Sequence, residues 1–246
     1  MSRQPFVSWA TTHPGAKRQY NQDTFVNRPD LGLWAVADGA GGHQGGELAA
    51  GMLREALDEI PPLLSASEML AQVRLKVGAT HDALRALANK NDQSISGAST
   101  IVVLIVRNGH FACLWAGDSR AYLLRDGVLR QVSHDHSLVQ ELVDSGALRA
   151  EDAEHHPRAN VITRAVGADV DELVLDKVSD RTQPGDRFLL CSDGLSKTLK
   201  DSDLAVMLAE PTGVPPTQAM IAAAVALGAS DNVTAVVVEI TGTGAV

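Results

Sequence analysis

Residues 99–132 read STIVVLIVRNGHFACLWAGDSRAYLLRDGVLRQV and carry the strongest strand signal in the chain. Ser99 to Arg107 is rich in β-branched residues and ends at Asn108-Gly109, after which His110 to Ala116 is again apolar. An Asn-Gly pair between two such runs marks a tight hairpin, because both turn positions need positive φ. Arg120 to Leu124, Asp126-Gly127 and Val128 to Val132 repeat the pattern. The spacing predicts two hairpins joined in one antiparallel meander.

Working outward, Phe6 to Thr11, Leu31 to Ala37, Leu173 to Val178, Arg187 to Cys191 and Asn232 to Ile240 also read as strands. Glycines after Ala37 lead into a helix from about Gly45 to Glu59. A second helix spans about Ser67 to Ala88, with Leu70, Val73, Val77 and Leu84 on one face. Asp135 to Asn160 is polar and partly helical, with a break at His155-His156-Pro157. Helices are expected over Asp201 to Ala209 and Pro216 to Leu227. Antiparallel strands with paired helices predict an α+β class, sheet packed on sheet with helices outside. The 246 residues show no repeat, low-complexity tract or long linker, so one domain over 1–246 is expected.

Hydrophobic residues make up 45% of the chain, enough to support a core, but aromatics only 4%, so Ala, Val and Leu must fill it. The net charge of -9, with no block of Lys or Arg, argues against nucleic acid and anionic membranes as partners. The apolar runs fall short of the ~18 residues of a membrane helix. No apolar stretch behind Met1 suggests a signal peptide. Cys113 and Cys191 lie in apolar runs with no CxxC spacing and read as buried thiols. A cytoplasmic protein is expected.

The chemistry lies in four aspartates. Asp38 ends LGLWAVA, Asp118 ends HFACLWAG, Asp193 ends RFLLCS, and Asp231 precedes NVTAVVVEI. A carboxylate at a buried strand end is costly unless its charge is compensated. Converging carboxylates repel, and a hard divalent cation such as Mg²⁺ or Mn²⁺ removes that repulsion. Each aspartate alone also suits a turn or an N-cap. Glycines at 39 and 194 allow a sharp bend beside the carboxylate, which can turn the Gly39 carbonyl toward a metal.

Other chemistries fail on inspection. Gln44 breaks the GxGxxG spacing after Asp38. GxxxxGK[ST], HExxH and GxSxG do not occur. His134, Asp135 and His136 match no zinc spacing and read as a polar loop or helix start.

Eight blocks then match in order: RQYNQD from Arg18, VADGAGGHQGGELAA from Val36, GAST from Gly97, WAGDSRAYLLRDG from Trp115, SHDHSLVQELV from Ser133, NVITRAVG from Asn160, GDRFLLCSDGL from Gly185 and SDNVTAVVV from Ser230. With these the chain resembles the metal-dependent protein phosphatases (PPM, type 2C), particularly the compact bacterial catalytic domains. The resemblance covers roughly residues 5–240. It implies a four-layer sandwich, two antiparallel sheets flanked by helix pairs, with a two-metal centre at one end. Asp38 would bridge two tightly bound Mg²⁺ or Mn²⁺ ions. The Gly39 carbonyl would bind the second, and Asp193 and Asp231 the first. Asp118 would belong to a third, weaker site. Arg18 would grip the substrate phosphate. Asp23, Gln22, Asn232 and His43 would stand around the metal ligands.

The implied enzyme is a hydrolase that removes phosphate from phosphoserine and phosphothreonine in signalling proteins, using metal-activated water and no covalent intermediate. Its partners would be substrates of serine/threonine kinases, and a monomer is the expected state. Two departures stand out. Gln22 replaces a glutamate of many relatives. Ala40 replaces the histidine of animal members, so the general acid stays unassigned between His43 and metal-bound water. Residues from about 142 to 160 correspond to a variable flap that selects substrates. Two further readings stay open, a catalytically silent phosphoprotein-binding domain and a hydrolase of small phosphoesters.

Overall fold

The computed structural model describes residues 5–41, 43–90, 97–210 and 213–242, without the side chains of His43 and Lys90. Strand β5 (Ile101–Arg107) pairs antiparallel with β6 (His110–Ala116), and β7 (Arg120–Arg125) with β8 (Val128–Gln131). Asn108 (φ 49°), Gly109 (φ 72°), Asp126 (φ 53°) and Gly127 (φ 77°) take the left-handed conformations these turns require.

The two hairpins do not form one meander. They belong to different sheets. One sheet runs β2-β3-β5-β6-β9, with β2 at Asp23–Arg28, β3 at Leu33–Ala40 and β9 at Asp176–Arg181, and the short β4 (Ala98–Ser99) pairs with β3. The other runs β1-β11-β10-β7-β8, with β1 at Phe6–His13, β10 at Arg187–Cys191 and β11 at Val233–Ile240.

Burial explains the split. All seven residues of β5 are buried. Ile101, Val103 and Ile105 face a cluster with α1 (His43–Asp58) and α2 (Ala66–Lys90), whereas Val102, Leu104 and Val106 face the opposite sheet. On β11, Val236 and Val238 enter the same inter-sheet cluster. Ala235 and Val237 pack instead with α5 (Asp201–Ala209) and α6 (Pro216–Ala226). A strand apolar on both faces needs cover on both, which a single sheet with one solvated side cannot supply. The result is helix pair, sheet, sheet, helix pair. The few aromatics sit where they fill most volume: Phe6 meets Trp34 edge-on at 5.0 Å, and Phe111 of one sheet meets Phe188 of the other at 4.9 Å.

Several boundaries differ from the sequence reading. Leu31 ends a 3₁₀ turn (Pro29–Leu31), and Gly32 (φ 59°) redirects the chain before β3 begins. Strand β9 lies three residues later than expected, because its pairing with β6 sets Trp115 opposite Asp176. It is an exposed polar strand, so its apolar neighbours Leu173 and Leu175 misled the pattern. Strand β2 and the single-turn α4 (Asp193–Ser196) were not foreseen. The 135–160 stretch contains α3 (Leu138–Asp144) and a 3₁₀ segment (Ala150–His155).

Candidate metal centre

The strand ends bring the aspartates together. Asp38 lies near the end of β3, opposite Asp23 in the β2–β3 register. Asp193, the first residue of α4, lies two residues after the end of β10, and Asp231 precedes the adjacent β11. Asp118 lies in the crossing from β6 to β7, so it sits where the chain changes sheets. A cleft of about 360 Å³ is lined by Arg18, Gln22, Asp38, Gly39, Asp193 and Asp231, with Asn160 and Ile162 on its rim.

Burial makes these carboxylates expensive. Asp23 accepts hydrogen bonds at Oδ2 from the hydroxyls of Ser192 and Thr234, both at 2.7 Å, while its Oδ1 is buried without a partner. Desolvation, with added repulsion from Asp193 and Asp231, pushes its pKa up to about 7. Asp38 keeps part of its surface open to the cleft yet is enclosed by protein. Desolvation, then the charges of Asp23, Asp193, Asp118 and Asp231, holds it well above the usual carboxylate range. Asp118 rises to about 6 through burial and the Asp193 charge, against the pull of Lys197, and its Oδ1 also lacks a partner. A buried, mutually repelling set of oxygen donors around Asp38 fits a hard divalent cation.

The side chains as they lie are engaged by protein cations. Arg18 Nη2 donates to Asp231 Oδ2 at 2.9 Å, and Lys197 Nζ to Asp193 Oδ2 at 2.6 Å. Among the described residues, no three acidic, histidine or cysteine side chains are already closed around a common point. The Arg18–Asp231 pair is half exposed, and such pairs contribute on the order of 0–1 kcal/mol, so its release costs little.

A sequence profile described as protein phosphatase 2C matches residues 13–224. The chain belongs to the protein phosphatase 2C family. It is a metal-dependent serine/threonine protein phosphatase. The serine/threonine phosphatase stp of Listeria monocytogenes is 33% identical over 93% of each chain. A solved structure of PppA, a key regulatory component of T6SS in Pseudomonas aeruginosa, shares 40% identity with a TM-score of 0.87, covering 95% of this chain and 97% of that one. The catalytic domain of PstP, solved with two manganese ions, shares 31% identity with a TM-score of 0.82, covering 96% and 98%.

Around this cleft the local structure explains several motif residues. Asn232 accepts the Gln22 N–H at 2.9 Å and donates to the Pro14 and Tyr20 carbonyls, tying the loop that carries Arg18 to the start of β11. Ser99 Oγ and the Thr100 N–H donate to the Asp38 carbonyl, and Thr100 Oγ1 accepts the Asp38 N–H. Gly39 and Gly194 serve differently from the sequence expectation. Neither has positive φ. They are small because a Cβ at Gly39 would lie 2.3 Å from the Gly46 carbonyl, and one at Gly194 2.0 Å from that of Asn232. Close approach of backbones, not a bend, demands glycine there.

The His134-Asp135-His136 run points three ways, as a polar loop does. His134 pairs with Asp144, and Asp135 with Arg120. His136 Nδ1 accepts the Gly117 N–H at 3.2 Å, so its Nε2 carries the proton donated to Asp176. His43 opens α1, but its side chain lies outside the described residues. Ala40 ends β3 with no proton to give.

Sequence reasoning missed Ser192, Thr234 and Lys197. The first two were visible as small hydroxyls, Ser192 just after the apolar run of β10 and Thr234 inside that of β11. Ser192 sits at the N-cap of α4 but spends its hydroxyl on Asp23 rather than on the helix. Lys197 stands four residues after Asp193, a helical pairing that only an assigned α4 would have revealed. Among the described residues no helix is long and apolar enough to cross a membrane.

Proposed function

We propose that this phosphatase hydrolyses phosphoserine and phosphothreonine monoesters of other proteins in the cleft where β3, β10 and β11 end. Asp38, the Gly39 carbonyl, Asp193 and Asp231 are the residues that would hold two divalent ions, Mn²⁺ or Mg²⁺. When bound, such a pair supplies Lewis acidity toward the phosphoryl oxygens and a nucleophile at neutral pH. The two manganese ions in the PstP catalytic domain support this reading.

The chain's own residues do the rest. Arg18 leaves Asp231 and presents its planar fork to the phosphoryl group, stabilising charge that grows in the transition state. Asn232 fixes the backbone of Gln22 and so the loop that aims Arg18. Asp23, with Gln22 beside it, stands opposite Asp38 in the strand register and is held in place by Ser192 and Thr234. Cys113 and Cys191 are buried, free, and pushed by burial up to about 12, so neither serves as a nucleophile. Free thiols also suit a reducing, cytoplasmic setting. In the same reading the chain is a single monomeric catalytic domain acting on kinase substrates. Residues 142–160 form a flap whose exposed Glu151 and His155 meet the substrate protein.

The convergence of Asp38, Asp193 and Asp231 on one cleft, with the buried Asp23 and Asp118 close enough to repel Asp38, carries this reading. The test is phosphate release from a phosphothreonine peptide with Mn²⁺, with chelator, and for Asp193→Ala. Turnover should need both metal and Asp193. Full turnover in chelator would overturn it, and faster hydrolysis of small metabolite esters than of peptides would redirect the substrate class.

A further inference from the structure

Lys197 Nζ lies 2.6 Å from Asp193 Oδ2, 2.9 Å from Asn160 Oδ1 and 3.5 Å from Asp118 Oδ2. The three oxygens come from α4, from the base of the flap and from the β6–β7 crossing. An ammonium has three hydrogens and no acceptor, so its donors match these three acceptors one for one. An ordinary surface pair between residues four apart on a helix would need only Asp193. Here the side chain reaches past it to a carboxylate only 5% exposed.

The cation therefore stands against Asp118, the residue that the resemblance gives to a third, weaker metal site, and bridges it to Asp193. A divalent ion shared by these two carboxylates would lie beside the ammonium and be repelled by it. We propose that Lys197 is a built-in cation that takes the place of a divalent ion at the Asp118–Asp193 pair, so that this chain holds two ions and Asp118 is not a metal ligand. The inference rests on the two-ion reading of the cleft. It gives Lys197 a positioning role: it neutralises one oxygen of Asp193, leaves the other for an ion, and links that ligand through Asn160 to the flap.

The test is the number of Mn²⁺ ions bound per chain at equilibrium dialysis, titrated well past saturation of the tight sites. Wild type should bind two, and Asp118→Asn should leave the count unchanged. Lys197→Met should gain a third ion, lost again in the Lys197→Met/Asp118→Asn double variant. Lys197→Arg, which restores the charge, should return the count to two. A wild type that binds three ions and loses one on Asp118→Asn would overturn the proposal. So would a folded Lys197→Met that still binds two. Both outcomes leave the two-ion reading standing, whereas fewer than two ions on wild type would remove that reading and this inference together. The wild-type and Asp118→Asn arms test whether Asp118 is a ligand even if the lysine variants do not fold.

Discussion

Asp23 keeps its proton to about pH 7 in the folded chain, while the unfolded chain releases it near 3.8. Between those values the folded state binds more protons, so this group's contribution to stability falls as pH rises through the window. Asp23→Asn keeps an acceptor for Ser192 and Thr234 but cannot ionise. In chelator, its stability relative to wild type should rise between pH 4 and 7, by an amount on the order of a few kcal/mol, as read from urea melts. A constant difference across that range would show that Asp23 ionises normally. Arg18 makes a different prediction. Arg18→Lys keeps the charge and loses the planar fork, so kcat/KM on a phosphopeptide should drop by roughly ten- to a hundredfold with little change in melting temperature. An unchanged kcat/KM would remove Arg18 from phosphate recognition.

At the scale of elements, β11 and α4 meet so closely that Gly194 has no room for a methyl group. Gly194→Ala must push α4 from the start of β11, and thus separate Asp193 from Asp231. Overpacking of this kind costs about 1–3 kcal/mol. Urea unfolding should report that loss, and tight Mn²⁺ binding should weaken with it. Leu104→Ala on β5 should cost more, about 2–5 kcal/mol, because it opens a cavity between the sheets. It lies away from the cleft, so Mn²⁺ affinity should hold. Equal effects of the two variants on metal binding would contradict the assignment of Gly194 to the metal centre.

For the whole molecule, the proposed metal centre joins both sheets, since Asp38 comes from one and Asp193 and Asp231 flank strands of the other. Ions bound there should stabilise the fold as a unit. At a hundredfold excess over Kd the expected gain is about 2.7 kcal/mol per ion. A calorimetric scan should show Mn²⁺ raising Tm in wild type and a much smaller rise in Asp38→Asn. No rise in wild type would mean that ions do not bind the native cleft. By itself the sequence determined the hairpin turns, from Asn108-Gly109 and Asp126-Gly127, and the placement of Asp38, Asp118, Asp193 and Asp231 at strand ends. Those are local properties, written in turn residues and apolar runs a few residues long. Only the tertiary structure decided that β5–β6 and β7–β8 part into different sheets, because that follows from which faces find cover, and cover comes from distant helices. It also decided that Gly39 and Gly194 serve close approach, and that Lys197 meets Asp118 across 79 residues of sequence. Such pairings arise from packing between segments, and no short stretch of chain contains both partners.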